Sequence, residues 1–395
     1  MKIIIEKTKE ESSFFYSNMN IYEIKNEKRE NRCENEKENK FNKINYNQEN
    51  KERKNKHESF ELINYIDSGS ESNVYNLTIC NRKPKGQIMR KKSIMKLVFK
   101  SKNEREDKKE IYISSILKNI NIIDFYRYSE NEKDKTYYTL MDYAKYGNLR
   151  NFQRKTIKRN YFSESMICFL AFQILKDIHY CHKCKIEHMD IKSQNIVIDD
   201  YLNRKLIDFS IPINYKNRNN DHEIKLPFKG TNFYKSKEEL NSEKIKIKDL
   251  NKVDLYAFGV VLYNLAFGTY PYGLCRGDED NYDIILEKIE NGKLIFPNTT
   301  DYSSHFLDLI SKLLEKDISK RIDIYEALNH YWVKGANILL DEKEKYNNIG
   351  IFISYLLTEH IRLFNNYIKK NEEFKFNKKQ YMPKFILIQL KNFLS

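Results

Sequence analysis

The chain has 395 residues, 40% of them hydrophobic and 13% aromatic, with a formal net charge of +14. That length suits two or three units of ordinary domain size, and the apolar content suffices for a large core. The charge raises nucleic acid or an acidic membrane surface as partners. However, the Lys residues are scattered among Glu and Asp with no compact basic block between aromatics, which excludes nucleic acid as the main partner.

Met1 to Ser17 contains a three-Ile run too short for a secretion signal, and the segment from Gly350 to Leu357 is far too short for a membrane span. Cys181, Cys184, His182 and His188 form half of a metal pattern whose second Cys or His pair is missing. An intracellular, cytoplasmic protein with reduced thiols is expected.

In chain order, residues 1–58 form a charged extension. From Ile21 to His57 it is dominated by Asn, Lys, Glu and Arg and is expected to be mostly disordered. Residues 59–144 form a small sheet-based lobe. Phe60 to Ile66 and Val74 to Ile79 read as strands around a turn at Ser68-Gly69-Ser70, and Ser93 to Phe99 and Tyr137 to Tyr143 as further strands. Between them, Asn103 to Leu117 reads as a helix with Ile113, Ile116 and Leu117 on its core face. Residues 145–334 are mainly helical, with helices at Glu164 to His182, Val253 to Ala266, Phe306 to Leu314 and Ile324 to His330. Residues 335–395 read as a helical extension at Ile338 to Asn371 and Phe385 to Leu394.

The chemistry is concentrated in Glu187-His188-Met189-Asp190-Ile191-Lys192-Ser193-Gln194-Asn195, followed by the apolar Ile196-Val197-Ile198. This segment resembles the catalytic loop H-R-D-x-K-x-x-N of eukaryotic protein kinases, and the resemblance extends from about Phe60 to Trp332. It implies a bilobal α+β fold with a β-rich N-lobe, a larger helical C-lobe and ATP in the cleft. It also implies protein serine/threonine kinase activity on a protein substrate, with Mg²⁺ as the ion and Mn²⁺ as its substitute. Asp190 is then the catalytic base, Lys192 steadies the transferred phosphoryl group, and Asn195 holds a Mg²⁺.

Lys205-Leu206-Ile207-Asp208-Phe209-Ser210 resembles D-F-G with Ser in the Gly place, which makes Asp208 the second metal ligand. Ser93-Ile94-Met95-Lys96 resembles V-A-I-K. Lys96 is expected on the α/β-phosphates, paired with Glu110 and with Glu106 as the competing partner. Ile66 to Tyr75 aligns with the Gly-rich phosphate loop but keeps only Gly69, with Asp67 and Ser72 in the other Gly places. Val74 is expected to cap the adenine, Met141 to act as gatekeeper, and Asp142, Tyr143 and Ala144 to form the hinge.

Gly230 to Glu238 resembles the substrate-docking segment, with Glu238 paired to Arg321 and Asp254 bonded to the catalytic-loop backbone. Lys192 and Thr231 resemble the serine/threonine branch. Asn148 and Gln194 occupy places where kinases that select basic targets carry Glu. Met189 replaces the Arg that pairs with an activation-loop phosphate, and Ile211 to Lys229 contains no Ser or Thr, with Tyr215 as its one hydroxyl. Activity without activation-loop phosphorylation is therefore expected. The alternative is a pseudokinase that binds nucleotide or a partner, favoured by Asp67, the missing glycines and Ser210. The composition and the eroded loop resemble orphan kinases of malaria-type parasites.

Overall fold

The computed structural model of the protein describes residues 20–23, 58–68, 72–82, 88–100, 104–117, 119, 122–131, 135–156, 162, 164–199, 203–216, 218–297 and 302–334. These residues fall into two compact units. One lies within Met1–Lys118 and Ile123–Tyr143, the other within Asn119–Ile122 and Ala144–Ser395. Gly69 and the helices expected beyond residue 335 lie outside the described residues.

The first unit is a six-stranded sheet with one helix. Its strands are β1 (Asn20–Glu23), β2 (Glu58–Ser68), β3 (Ser72–Arg82), β4 (Ile88–Phe99), β5 (Phe125–Asn131) and β6 (Thr136–Asp142), in the order β1-β5-β6-β4-β3-β2. Residues two apart share a face of a strand. On one face Leu77, Ile79, Met95, Tyr138 and Leu140 form a core that Tyr75, Leu97 and Tyr126 extend. A second cluster joins Ile111 of helix α1 (Glu104–Ile116) to Phe125, Tyr128 and Tyr137.

Two expectations fail here. Ile113 and Leu117 are buried as read, but Ile116 is 43% exposed. At about 100° per residue it falls about 60° beyond Ile113, further round the helix from Leu117. Asn20–Glu23, assigned to the unstructured extension from Ile21 onward, pairs antiparallel with Arg127–Glu130 of β5. Such pairing uses main-chain donors and acceptors, which composition does not register.

The second unit is mainly helical. Helices α2 (Leu149–Thr156), α3 (Glu164–Lys183), α4 (Lys237–Leu240), α5 (Ile247–Phe267), α6 (Tyr282–Asn291), α7 (Ser304–Leu313), α8 (Ile324–Asn329) and α9 (Tyr331–Lys334) surround three short antiparallel pairs. These pair β7 (Ile186–Glu187) with β10 (Ile213–Asn214), β8 (Ile196–Ile198) with β9 (Arg204–Leu206), and β11 (Glu223–Lys225) with β12 (Lys244–Lys246).

The apolar stripe of α3, from Ile167 to Ile178, is buried, and α5 is buried along most of its length. Gly259 lets α5 approach α7, since a Cβ there would stand 2.8 Å from Leu313 Cβ. Glu164 closes the far end of this core. Its carboxylate accepts from Trp332 Nε1 at 2.8 Å and from Ser303 N at 2.6 Å, while burial raises its pKa. Among the described residues no helix is long and apolar enough to cross a membrane.

Candidate active site

In the second unit the site is built outward from Asp254, in the middle of buried α5. Its carboxylate accepts from the backbone amides of His188 at 2.8 Å and Met189 at 2.9 Å, one on each oxygen. It thereby holds Met189 at φ 65°, a left-handed conformation that side chains other than Gly adopt at a cost of about 1–3 kcal/mol. Burial alone would raise the Asp254 pKa, but hydrogen bonding and charge from His182, with the His188 contacts, bring it down to about 2.

The loop so fixed presents Asp190, whose carboxylate is buried and multiply held. Lys192 Nζ donates to Asp190 Oδ2 at 2.6 Å and to Thr231 Oγ1 at 2.8 Å. The Thr231 amide reaches Asp190 Oδ1 at 3.3 Å. Asn195 Nδ2 donates both to Asp190 Oδ2 and to the Asp190 carbonyl, each at 2.9 Å. With its N–H donors committed, the Asn195 side chain has its carbonyl oxygen to offer a cation.

Asp208 follows β9 on a segment tied to the same loop. The Ile207 amide donates to Asn195 O at 3.0 Å, and His188 Nε2 donates to Ile207 O at 3.0 Å. The His188 ring lies against Phe209 with centroids 4.6 Å apart. Asp208 itself is at φ 69°, whereas Ser210 is not among the residues with positive φ. In this conformation the position read as a lost Gly needs no glycine freedom. The oxygen-rich donor set of Asn195 and Asp208 suits a hard divalent cation such as Mg²⁺.

Gly230, at φ 106°, brings the docking segment against this loop. A Cβ there would meet Ile211 Cδ1 at 3.2 Å and Asp190 Oδ1 at 3.4 Å. Further along, Glu238 and Arg321 are both fully buried and bonded in parallel, with Nη1 to Oε1 at 2.6 Å and Nη2 to Oε2 at 3.3 Å. The remaining Arg321 donors reach the carbonyls of Glu315 at 2.8 Å and Lys252 at 3.1 Å.

A buried charge network lies behind the loop, and the sequence reading did not find it. His182 Nε2 stands 2.5 Å from Glu187 Oε2 and 3.0 Å from Asp254 Oδ2. Tyr215 donates its hydroxyl to Glu187 Oε1 at 2.9 Å. Burial disfavours a charged His182, yet Glu187 and Asp254 raise its pKa to about 10, while burial lifts Glu187 to about 7. His182, Glu187 and Asp254 have the look of a metal cluster. A protonated imidazole between two carboxylates, one of them committed to two amides, is an ion-pair network instead. Cys181, once grouped with His182 as a metal ligand, is fully buried, and burial raises its pKa well above the ordinary thiol range. Met189 completes the picture: it packs with Tyr215, Ile224, Leu226, Ile245, Ile247, Leu250 and Val253 in an apolar cluster.

In the first unit Lys96 Nζ pairs with Glu110 Oε1 at 2.6 Å, and both side chains are largely buried. Glu110, the preferred of the two acids weighed for Lys96, is thus bonded to it. Val74 stands opposite Lys96 in the β3–β4 register, and Met141 and Asp142 stand opposite Ile94 and Ser93 in the β4–β6 register. Asp142 also pairs with Lys91 at 3.2 Å. Ala144 belongs to the second unit and is partly buried.

A β-rich unit carrying a Lys–Glu pair, followed by a helical unit carrying a clamped carboxylate with an amide and a second carboxylate on neighbouring segments, defines a two-lobed α+β phosphotransferase fold. Residues 60–333 match the family model described as the protein kinase domain, and the chain belongs to that family. It is 32% identical over 225 residues to the SNF1-related protein kinase catalytic subunit alpha KIN12 of Arabidopsis thaliana, covering 57% of this chain and 41% of that protein. It is 31% identical over 249 residues to NUAK family SNF1-like kinase 1 of Homo sapiens, covering 63% and 35%. It is 30% identical over 261 residues to the probable serine/threonine-protein kinase MARK-A of Dictyostelium discoideum, covering 64% and 22%. The chain thus spans less than half the length of each of these relatives.

Proposed function

We propose that this chain transfers the γ-phosphoryl group of ATP to serine or threonine hydroxyls of proteins. The observation that supports this best is the Asp190 carboxylate, held by Lys192, Asn195 and Thr231 at the end of a loop fixed by Asp254. A carboxylate in that clamp is oriented to accept the proton of an incoming hydroxyl. Lys192, bonded to both Asp190 and Thr231, supplies positive charge where the transferred group gains negative charge.

Asn195 and Asp208 would hold Mg²⁺, which when bound neutralises phosphate charge and aligns the phosphoryl group. Lys96, kept in place by Glu110, would contact the α/β-phosphates. Gly69 would approach the phosphates, and Val74, Met141, Asp142 and Ala144 would line the adenine site. The apolar seat of Met189 and the tether of Tyr215 support activity that does not wait for activation-loop phosphorylation.

The test is transfer of labelled phosphate from Mg-ATP to a Ser/Thr peptide library by the purified chain. Asp190→Asn is expected to lower the rate by about 10²–10⁴-fold. Equal transfer by wild type and variant would refute the assignment of the base, and nucleotide binding without transfer by wild type would favour the scaffold reading.

A further inference from the structure

Lys235 is a buried cation that the chemistry at Asp190 leaves unused. It lies on the docking segment that Gly230 and Thr231 bring against Asp190. Its ammonium donates to Asn232 Oδ1 at 3.1 Å and rests 4.7 Å from the centroid of the Phe228 ring. No carboxylate among the described residues lies within ion-pair distance of it. An ammonium carries three donors, and among the described residues one is met by a protein oxygen.

Burying charge without an anion is unfavourable, and burial lowers the Lys235 pKa, while the more distant charges of Glu239 and Asp190 act in the opposite sense. The Asp190 effect also places this ammonium within electrostatic reach of the base. The aromatic neighbour is itself open to solvent. Phe228 is 56% exposed and touches Tyr282 of α6 edge-on, with centroids 5.4 Å apart.

Asn148 is neutral and spends its side-chain oxygen on the amide of Asn151, at 2.9 Å, at the start of α2.

We propose that Lys235 receives an anionic side chain of the protein substrate beside the target hydroxyl, so that the enzyme selects Ser or Thr flanked by a carboxylate or a phosphorylated residue. The inference rests on the phosphoryl-transfer reading above and names its substrate class. Docking then supplies the anion that the free protein lacks at this position, and the pair forms where water is excluded.

The experiment uses the full chain, Mg-ATP and Ser peptides carrying Glu, phosphoserine, Gln or Lys singly at each position near the target. At one flanking position kcat/KM is expected to be about tenfold higher with Glu than with Gln, the ratio that one ion pair of ordinary strength supplies. A preference confined to Glu assigns a carboxylate as the ligand, and one confined to phosphoserine assigns a phosphorylated side chain. Lys235→Met should bring the ratio close to one, Lys235→Arg should keep it, and Lys235→Glu should shift the preference to the Lys peptide. Wild-type ratios near one for both Glu and phosphoserine over Gln at every position, or a ratio undiminished in Lys235→Met, would overturn the proposal.

If no peptide is phosphorylated, the kinase reading fails, yet fluorescence anisotropy with labelled Glu and Gln peptides still decides the role of Lys235. Tighter binding of the Glu peptide that Lys235→Met abolishes supports it, and equal binding of the two peptides refutes it.

Discussion

Tyr215→Phe removes one hydroxyl from a buried charge network and leaves the ring in place. In the wild type that hydroxyl donates to Glu187 Oε1 at 2.9 Å, while the other Glu187 oxygen faces His182 at 2.5 Å. A hydrogen bond to a charged group contributes roughly 1.5–3 kcal/mol. Glu187 keeps its His182 partner, so a loss near the middle of that range, about 2 kcal/mol, is expected. For a domain of this size that corresponds to a fall in Tm of roughly 4–8 °C.

Phosphoryl transfer should nevertheless persist within about threefold, because the segment is also held by the packing of Met189 with Tyr215, Ile224 and Leu226 and by the pairing of Ile213–Asn214 with β7. A phosphate on Tyr215 would face the acidic Glu187 and could not form without opening the cluster. The assay pairs calorimetric melting with transfer measured on phosphatase-treated protein. Loss of transfer in Tyr215→Phe at temperatures where the variant stays folded would refute the reasoning, as would a wild type that phosphatase silences.

Two further outcomes follow from buried charge. Glu238→Gln strips the anion from a guanidinium that is fully buried, and breaking such a pair on one side costs about 3–5 kcal/mol. A variant that unfolds in urea within about 1 kcal/mol of wild type would contradict this.

The pH dependence follows from the directions of three pKa shifts. His182 is raised from 6.5 to about 10, so its contribution is complete below pH 6.5 and fades as pH rises toward 10. Glu187 is raised from 4.5 to about 7, so the folded state gives up stability as pH rises across that interval. Asp254 is lowered from 3.8 to about 2, and its contribution is lost only as pH falls below 3.8. The unfolding free energy of wild type should therefore decline between pH 6.5 and 10, and that of His182→Gln should decline less. Parallel curves for the two proteins would remove His182 from the network.

Much of the fold was legible because its signals are local and periodic. The apolar-rich run of β4 and the apolar stripe of α3 located both elements, and the run around Asp254 located α5, though their true ends differ by a few residues from those read. The clamp on Asp190 could be approached because its members, Lys192 and Asn195, lie within one short segment.

Contacts between distant residues were harder to see. Glu187 reads only as the first residue of the segment that carries Asp190, with no partner indicated. Only folding shows that it lies in a strand paired with Ile213–Asn214 and that Tyr215 follows onto it. Strand β5 went unread because Arg127 and Ser129 interrupt its apolar run. Ser236-Lys237 stands where the resemblance places Ala-Pro, and neighbouring Lys235 is silent in the sequence, because nothing in a lone Lys indicates that its ammonium will be buried beside an aromatic ring. The folded chain does account for Ser236. It caps α4 in a reciprocal arrangement with Glu239, its amide donating to Glu239 Oε2 at 2.9 Å.

The short strand β1 bears on how the molecule is handled. A fragment trimmed to the family-matched span of 60–333 would discard Asn20–Glu23 and uncover the main-chain groups of Arg127–Glu130 along one margin of the sheet. Such a bare margin is a template on which a second molecule can lay its own backbone. Shortening the protein to its recognisable part would therefore exchange an internal partner for a sticky border, and the upstream residues act as a built-in guard against that.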